Sequence, residues 1–161
     1  MKNDHDYLQV QGTYLMQRTK SAGISIIPKK KRIAVSSAKS KGRRLQQLIC
    51  KKISELTGIE WGKDCAIESR PMGQCGADVR METSVLKLFP FATECKYQES
   101  WSIYQWMKQA VAAQKRMPGT SWVLFVRKND MKPTSITVLD TNTFFRMLEL
   151  IPENDRNKIS D

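Results

Sequence analysis

The chain has 161 residues, 40% hydrophobic and 27% charged, proportions ordinary for a globular protein of one domain with room for an appendage. No run approaches the ~20 apolar residues a membrane span needs. The balance of charge is not ordinary: 27 Lys and Arg stand against 16 Asp and Glu, a formal net charge of +11. A field of that sign captures polyanions, and each neutralised phosphate also releases counterions, so nucleic acid is the expected partner. Solubility alone, or an anionic membrane surface, is the competing explanation.

In chain order, residues 1–36 show no periodicity and end in the basic cluster Lys29, Lys30, Lys31 and Arg32. This composition predicts a flexible arm able to hold backbone phosphates. A helix is expected over about residues 40–57, because Leu45, Leu48, Ile49, Ile53 and Leu56 share one face and Gly58 sits where a helix stops. Its other face carries Lys41, Arg43, Arg44, Lys51 and Lys52. A connection over 61–74 leads to a strand beginning near Asp78, and a second strand is expected over 89–97. Alternation along it puts Ala92, Glu94 and Lys96 on one face, Phe91, Thr93 and Cys95 on the other. A helix over about 101–116 follows, N-capped by Ser100 and striped by Ile103, Trp106, Met107, Ala110 and Ala113. The apolar run 122–126 reads as a buried strand, 128–130 as a turn, 135–139 as a strand and 143–150 as the closing helix, before a polar tail over 152–161. The order predicts an α/β fold, one mixed sheet flanked by helices, with its core over 37–151.

The N-terminus, Met1-Lys2-Asn3-Asp4-His5, lacks the apolar stretch of a secretory leader, so a cytoplasmic location is expected. Cys50, Cys65, Cys75 and Cys95 include no Cys-x-x-Cys pair, and His5 is the single histidine. These are expected to be reduced thiols, with at least two buried, rather than zinc ligands.

Three polar groups are costly where the pattern puts them: Asp78 at the start of one strand, Glu94 and Lys96 inside another. Two carboxylates brought together repel, and one must titrate high unless a cation neutralises them. Mg²⁺ or Mn²⁺ suits the task, keeping positions open for water and phosphate oxygens, while a neighbouring lysine steadies growing charge. By itself Glu-x-Lys is a common ion pair on a solvated strand. What raises it is its company: a preceding Phe89-Pro90-Phe91, Asp78 at hairpin distance, a following amphipathic helix and a basic chain. Around this set, Arg70 is a phosphate clamp or a structural ion-pair partner. Gln109 is a second-helix candidate for the site. Trp101 and Trp106 are candidates for stacking on unpaired bases, with core packing the better reading of Trp106. Glu82 and Glu99 read as solvated.

The arrangement Gly76-Ala77-Asp78 with Glu94-Cys95-Lys96 resembles the PD-(D/E)XK signature of the restriction-endonuclease-like superfamily. More narrowly it is similar to small phage-type nucleases of the Holliday-junction-resolvase-like kind. That likeness rests on residues 41–47, on Ser69-Arg70-Pro71-Met72-Gly73-Gln74-Cys75-Gly76-Ala77-Asp78-Val79, on 89–96 with Gln98-Glu99, and on Gln109-Ala110. It implies a metal-dependent DNA endonuclease of phage or mobile-element origin acting on duplex or branched DNA, for which a homodimer would be suited. It also implies Asp78 and Glu94 as metal ligands, the Cys95 carbonyl as a third, and Lys96 as the catalytic lysine. Many members carry an acid on the first helix, where this chain has Gln46 and Gln47; either amide would orient a metal-bound water without adding charge. A non-catalytic nucleic-acid-binding module on the same fold is the alternative. A third reading is a regulatory protein that docks a partner through an exposed strand 122–126.

Overall fold

The computed structural model describes residues 7–8, 14–18, 24–28, 35–71, 73–131 and 134–156. The chain divides into two compact units, 1–34 and 35–161.

The first unit differs from the aperiodic arm read from sequence. Three antiparallel strands, β1 (Tyr7–Leu8), β2 (Tyr14–Arg18) and β3 (Ile24–Pro28), lie in that order, with Leu8 opposite Met16 and Met16 opposite Ile26. Strands of two to five residues are too short to establish alternation against their surroundings. His5 and the cluster Lys29–Arg32 lie outside the described residues.

The second unit opens with helix α1 (Val35–Thr57), five residues ahead of its expected start. Leu45, Ile49, Cys50 and Ile53 make its buried stripe, each large aliphatic side chain contributing roughly 1.5–3 kcal/mol by leaving water. Gly58 ends it at φ 71°, donating its N–H to the Ser54 carbonyl at 2.8 Å, a left-handed turn that favours glycine. Next come strands β4 (Ile67–Ser69) and β5 (Val79–Met81), an antiparallel pair with Ser69 opposite Val79. Sequence reading had only a connection where β4 lies, because three residues carry no period. A single turn, α2 (Thr83–Leu86), leads to β6 (Phe91–Tyr97).

β6 pairs in parallel with β7 (Ser121–Arg127), joined by the crossover helix α3 (Ile103–Gln114), and β7 pairs antiparallel with β8 (Ile136–Leu139). The strand order β6-β7-β8 makes β7 central and buried, which removes the exposed edge that a docking role for residues 122–126 requires. α4 (Thr141–Glu149) follows, capped by Asp140, whose carboxylate accepts from the N–H groups of Asn142 and Thr143 at 3.0 and 3.2 Å. The described chain closes with α5 (Glu153–Arg156).

Helices cover both faces of the β6–β7 pair. Cys95, Tyr97 and Phe125 pack with the α1 stripe. Trp122, Leu124 and Val126 pack with Trp106 and Ala110 of α3, and Ala92 meets Ala113 of the same helix. This is an α/β architecture with a mixed sheet flanked by helices. β6 stands between the β7 pairing and the β4–β5 hairpin: Asp78 N–H donates to the Thr93 carbonyl at 2.8 Å.

Candidate active site

Asp78 enters β5 from a loop held in shape by Arg70. Its Nε donates to the Ala77 carbonyl at 2.8 Å and its Nη1 to the Cys75 carbonyl at 2.9 Å, while the Arg70 amide donates to the Asp78 carbonyl at 2.8 Å. The guanidinium lies so close that a Cβ on Gly76 (φ 114°) would stand 3.2 Å from Arg70 Cζ. Arg70 is thus a strut of the 70–78 loop.

The loop delivers the Asp78 carboxylate to β6, where Oδ2 accepts the Cys95 N–H at 2.8 Å. Glu94 and Lys96 flank that amide on either side. Their side chains share the α3-facing surface of the strand and meet at 2.5 Å, Lys96 Nζ donating to Glu94 Oε1. In an extended strand the N–H and C=O of one residue leave on the same edge. The Cys95 carbonyl therefore emerges on the edge that meets Asp78.

Electrostatics mark the pair. Burial pushes the Asp78 carboxyl above the usual carboxylate range, against the Cys95 amide, the Lys96 ammonium, the Gln46 amide and Arg70, all of which pull it down. Glu94 is raised by burial first and the Asp78 charge second, with Lys96 opposing. Each acid holds its proton more tightly than it would in water, chiefly through burial, and at Glu94 the Asp78 charge adds to it. A divalent cation would relieve both penalties, so the donors fit one. Among the described residues no group of three or more His, Cys, Asp or Glu could hold a metal. Two carboxylates with carbonyl and water oxygens completing the shell is a set that suits Mg²⁺.

A cleft of about 460 Å³ opens over this point, lined by Lys39 and Gln46 of α1, by Gln74 of the loop, and by Asp78, Cys95, Lys96, Tyr97 and Gln98. Glu94 is not part of its wall and reaches it through Lys96. The two α1 glutamines separate: Gln46 is buried, lines the cleft and pulls the Asp78 pKa down, whereas Gln47 is partly exposed and does not line it. Gln109 is exposed on α3 and also off the cleft. Lys41 stands 5.8 Å from the Tyr97 ring centroid; Arg43 and Arg44 are exposed, as are Glu82 and Glu99. Trp106 is 4% exposed in the core and Trp101 40%. Cys50 and Cys95 are buried and Cys75 exposed.

Lys39, Gln74, Tyr97 and Gln98 are cleft residues to which the sequence alone assigned no site role, although Gln74 and Gln98 stand in the segments that carry the resemblance. Lys39 follows from the earlier start of α1. Tyr97 continues the Thr93–Cys95 alternation and was within reach of the pattern; no periodicity set Gln74 apart within its loop. The Tyr97 hydroxyl is buried with no hydrogen-bond partner among the described residues.

A helix-flanked mixed sheet whose acid–x–lysine strand receives a second acid from the preceding hairpin defines the PD-(D/E)XK nuclease class. The chain belongs to the family described as phage putative PDDEXK endonuclease, matched over residues 37–155. Neither the curated proteins nor the solved structures contain a match to it. Among the described residues no helix is long and apolar enough to cross a membrane.

Proposed function

We propose that the chain is a metal-dependent DNA endonuclease that hydrolyses phosphodiester bonds, with branched DNA among its substrates. One observation carries this reading: Asp78 accepts from the Cys95 amide, between Glu94 and its ion-pair partner Lys96, so a single contact gathers two acids and an ammonium beside a cleft in a strongly basic chain.

In this reading Asp78 and Glu94 hold Mg²⁺ or Mn²⁺, with the Cys95 carbonyl as a further ligand. A divalent cation held there would supply Lewis acidity, lowering the pKa of a nearby water and offsetting the charge of the scissile phosphate. Lys96, now paired with Glu94, orients the attacking water and steadies the charge that grows on the phosphate oxygens. Gln46 fixes the Asp78 carboxylate. Lys39, Lys41, Arg43 and Arg44 on α1 hold flanking backbone, and the basic cluster Lys29, Lys30, Lys31 and Arg32 is a further set of phosphate-binding residues in this reading. A homodimer presenting two clefts would match a two-fold branched substrate. The phage-type family supports a phage-encoded enzyme, and in this reading its place of work is the cytoplasm of a bacterial host.

The test is a panel of branched, duplex and single-stranded DNA incubated with Mg²⁺, Mn²⁺ or EDTA. Cleavage is expected only with metal, and Asp78→Ala or Lys96→Ala should each reduce it by several orders of magnitude. Cutting that survives both substitutions refutes the reading. A second reading, a nucleic-acid-binding module without catalysis, draws on Gln46 facing Asp78 from α1 where an acid would add a third charged ligand. Calorimetry separates the two: an enzyme binds Mn²⁺ and loses it in Asp78→Asn, whereas the module binds DNA with strong salt dependence and no metal.

A further inference from the structure

The stretch immediately after the acid–lysine strand carries aromatic rings that the core does not use. Trp101 is 40% exposed and Tyr104 66%. The buried stripe of α3 is Trp106, Ala110 and Ala113, and both rings stand off it. Each has an ammonium against its face: Lys128 Nζ is 5.1 Å from the Trp101 centroid and Lys108 Nζ 4.4 Å from that of Tyr104. In the third such pair among the described residues, Lys41 over Tyr97, the ring lines the cleft. All three therefore fall on residues 97–104. Isolated exposed rings are ordinary; this concentration of rings and lysines at one end of β6 is not explained by packing.

Connectivity ties the group to the cleft. The Gln98 N–H donates to the Arg127 carbonyl at 3.1 Å, which brings Lys128 to the same end of the sheet as Trp101. Gln98 lines the cleft, and three residues of chain span at most about 11 Å. One strand a few nucleotides long can touch both places.

We infer that Trp101 and Tyr104, with Lys128 and Lys108, form a stacking platform for unpaired nucleotides beside the cleft, so that the substrate carries a single-stranded segment next to the cleaved bond. The inference rests on the proposed nuclease reading for what the cleft does. Its chemistry is separate. Inside a duplex both faces of a base are already stacked on neighbours, and only an unpaired base offers a free face to indole or phenol. The lysines sit where they can leave the ring and pair with the adjoining phosphates as the base arrives.

The test is binding by the full chain in EDTA, so that cleavage plays no part. Fluorescence anisotropy is measured with a labelled 12-nucleotide oligothymidylate and with a blunt duplex of equal length. Replacing both rings (Trp101→Ala with Tyr104→Ala) should weaken oligothymidylate binding about tenfold, the value of one stacked base, and duplex binding less than about twofold. Equal losses on both ligands, or no loss on the single strand, overturn the platform. Photocrosslinking of wild-type protein to 5-iodouracil-substituted oligothymidylate gives a readout independent of any variant. The adduct is expected on the tryptic peptide 97–108, and an adduct confined to other peptides refutes the assignment. A protein that binds as expected here yet cuts nothing with metal would sink the nuclease reading alone.

Discussion

Arg70 offers the sharpest separation between a residue that builds the site and one that holds substrate. In Arg70→Ala, two hydrogen bonds from a charged donor to loop carbonyls are lost, at 2.8 and 2.9 Å. The bond to Ala77 is part-buried and is worth about 1.5 kcal/mol, the low end for a charged donor. The bond to Cys75 is exposed, and solvent reduces it to about 0.5 kcal/mol. Their sum, about 2 kcal/mol, corresponds to a fall of about 4–8 °C in Tm for a chain of this size. Arg70→Lys should recover little of it, since an ammonium cannot reach two carbonyls with a fixed planar fork. Because the loop carries Asp78, Mn²⁺ affinity should fall with it. Urea unfolding and calorimetry measure both. DNA binding at several salt concentrations supplies the control, because losing one phosphate contact changes the slope of log K against log salt by about 0.9, and a strut leaves it alone. A variant within about 0.5 kcal/mol of wild type whose salt slope drops by nearly one would show that Arg70 is a phosphate clamp and that the argument from its two carbonyl bonds is wrong.

Other consequences follow from the same geometry. Asp78 has its folded-state pKa raised by burial, so its contribution to stability is full below the ordinary carboxylate range and is lost as pH rises through the folded pKa. In EDTA at pH 7.5, Asp78→Asn should therefore be more stable than wild type by on the order of 1 kcal/mol, with a smaller gap at pH 4; a less stable variant at pH 7.5 contradicts the desolvated acid. Burial pushes the Cys50 thiol up to about 12 and Cys95 well above its usual value, so thiol alkylation at pH 8 should modify exposed Cys75 quickly and spare those two until the protein unfolds. The buried, unpartnered Tyr97 hydroxyl predicts that Tyr97→Phe is neutral or stabilising by up to about 1 kcal/mol in urea melts; a loss of 2 kcal/mol would reveal a partner for it. Leu45, fully buried in the α1 stripe, should cost about 2–5 kcal/mol as Leu45→Ala, and a smaller loss would mean that α1 is not anchored there.

Long periodic elements were legible and short ones were not. The four-residue rhythm of Leu45, Ile49 and Ile53 located α1, and the alternation across Ala92, Glu94 and Lys96 gave the face that the acid and lysine share. What set Gln46 apart from Gln47 was helix phase, since Gln46 sits one turn before Ile49 and Cys50 on the buried side. β4 and α2 contribute three and four residues, less than one useful period. The parallel pairing of β6 with β7 was equally hidden, because it depends on the crossover through α3 and not on any residue within either strand. The hairpin spacing from Asp78 to Glu94 suggested direct pairing of two strands; instead β5 pairs with β4 and meets β6 through the Asp78 backbone and side chain. A side-chain acceptor bonded to a main-chain amide leaves no trace in hydropathy.

The backbone of β6 spends alternate residues on different neighbours: Gln98 bonds to β7 on one edge, while Thr93 and Cys95 engage Asp78 on the other. A single inserted or deleted residue in Phe91–Tyr97 would exchange those edges and carry the acid and the lysine around to the α1 side of the sheet. Length in this strand is therefore as strictly constrained as the identity of the charged residues it bears.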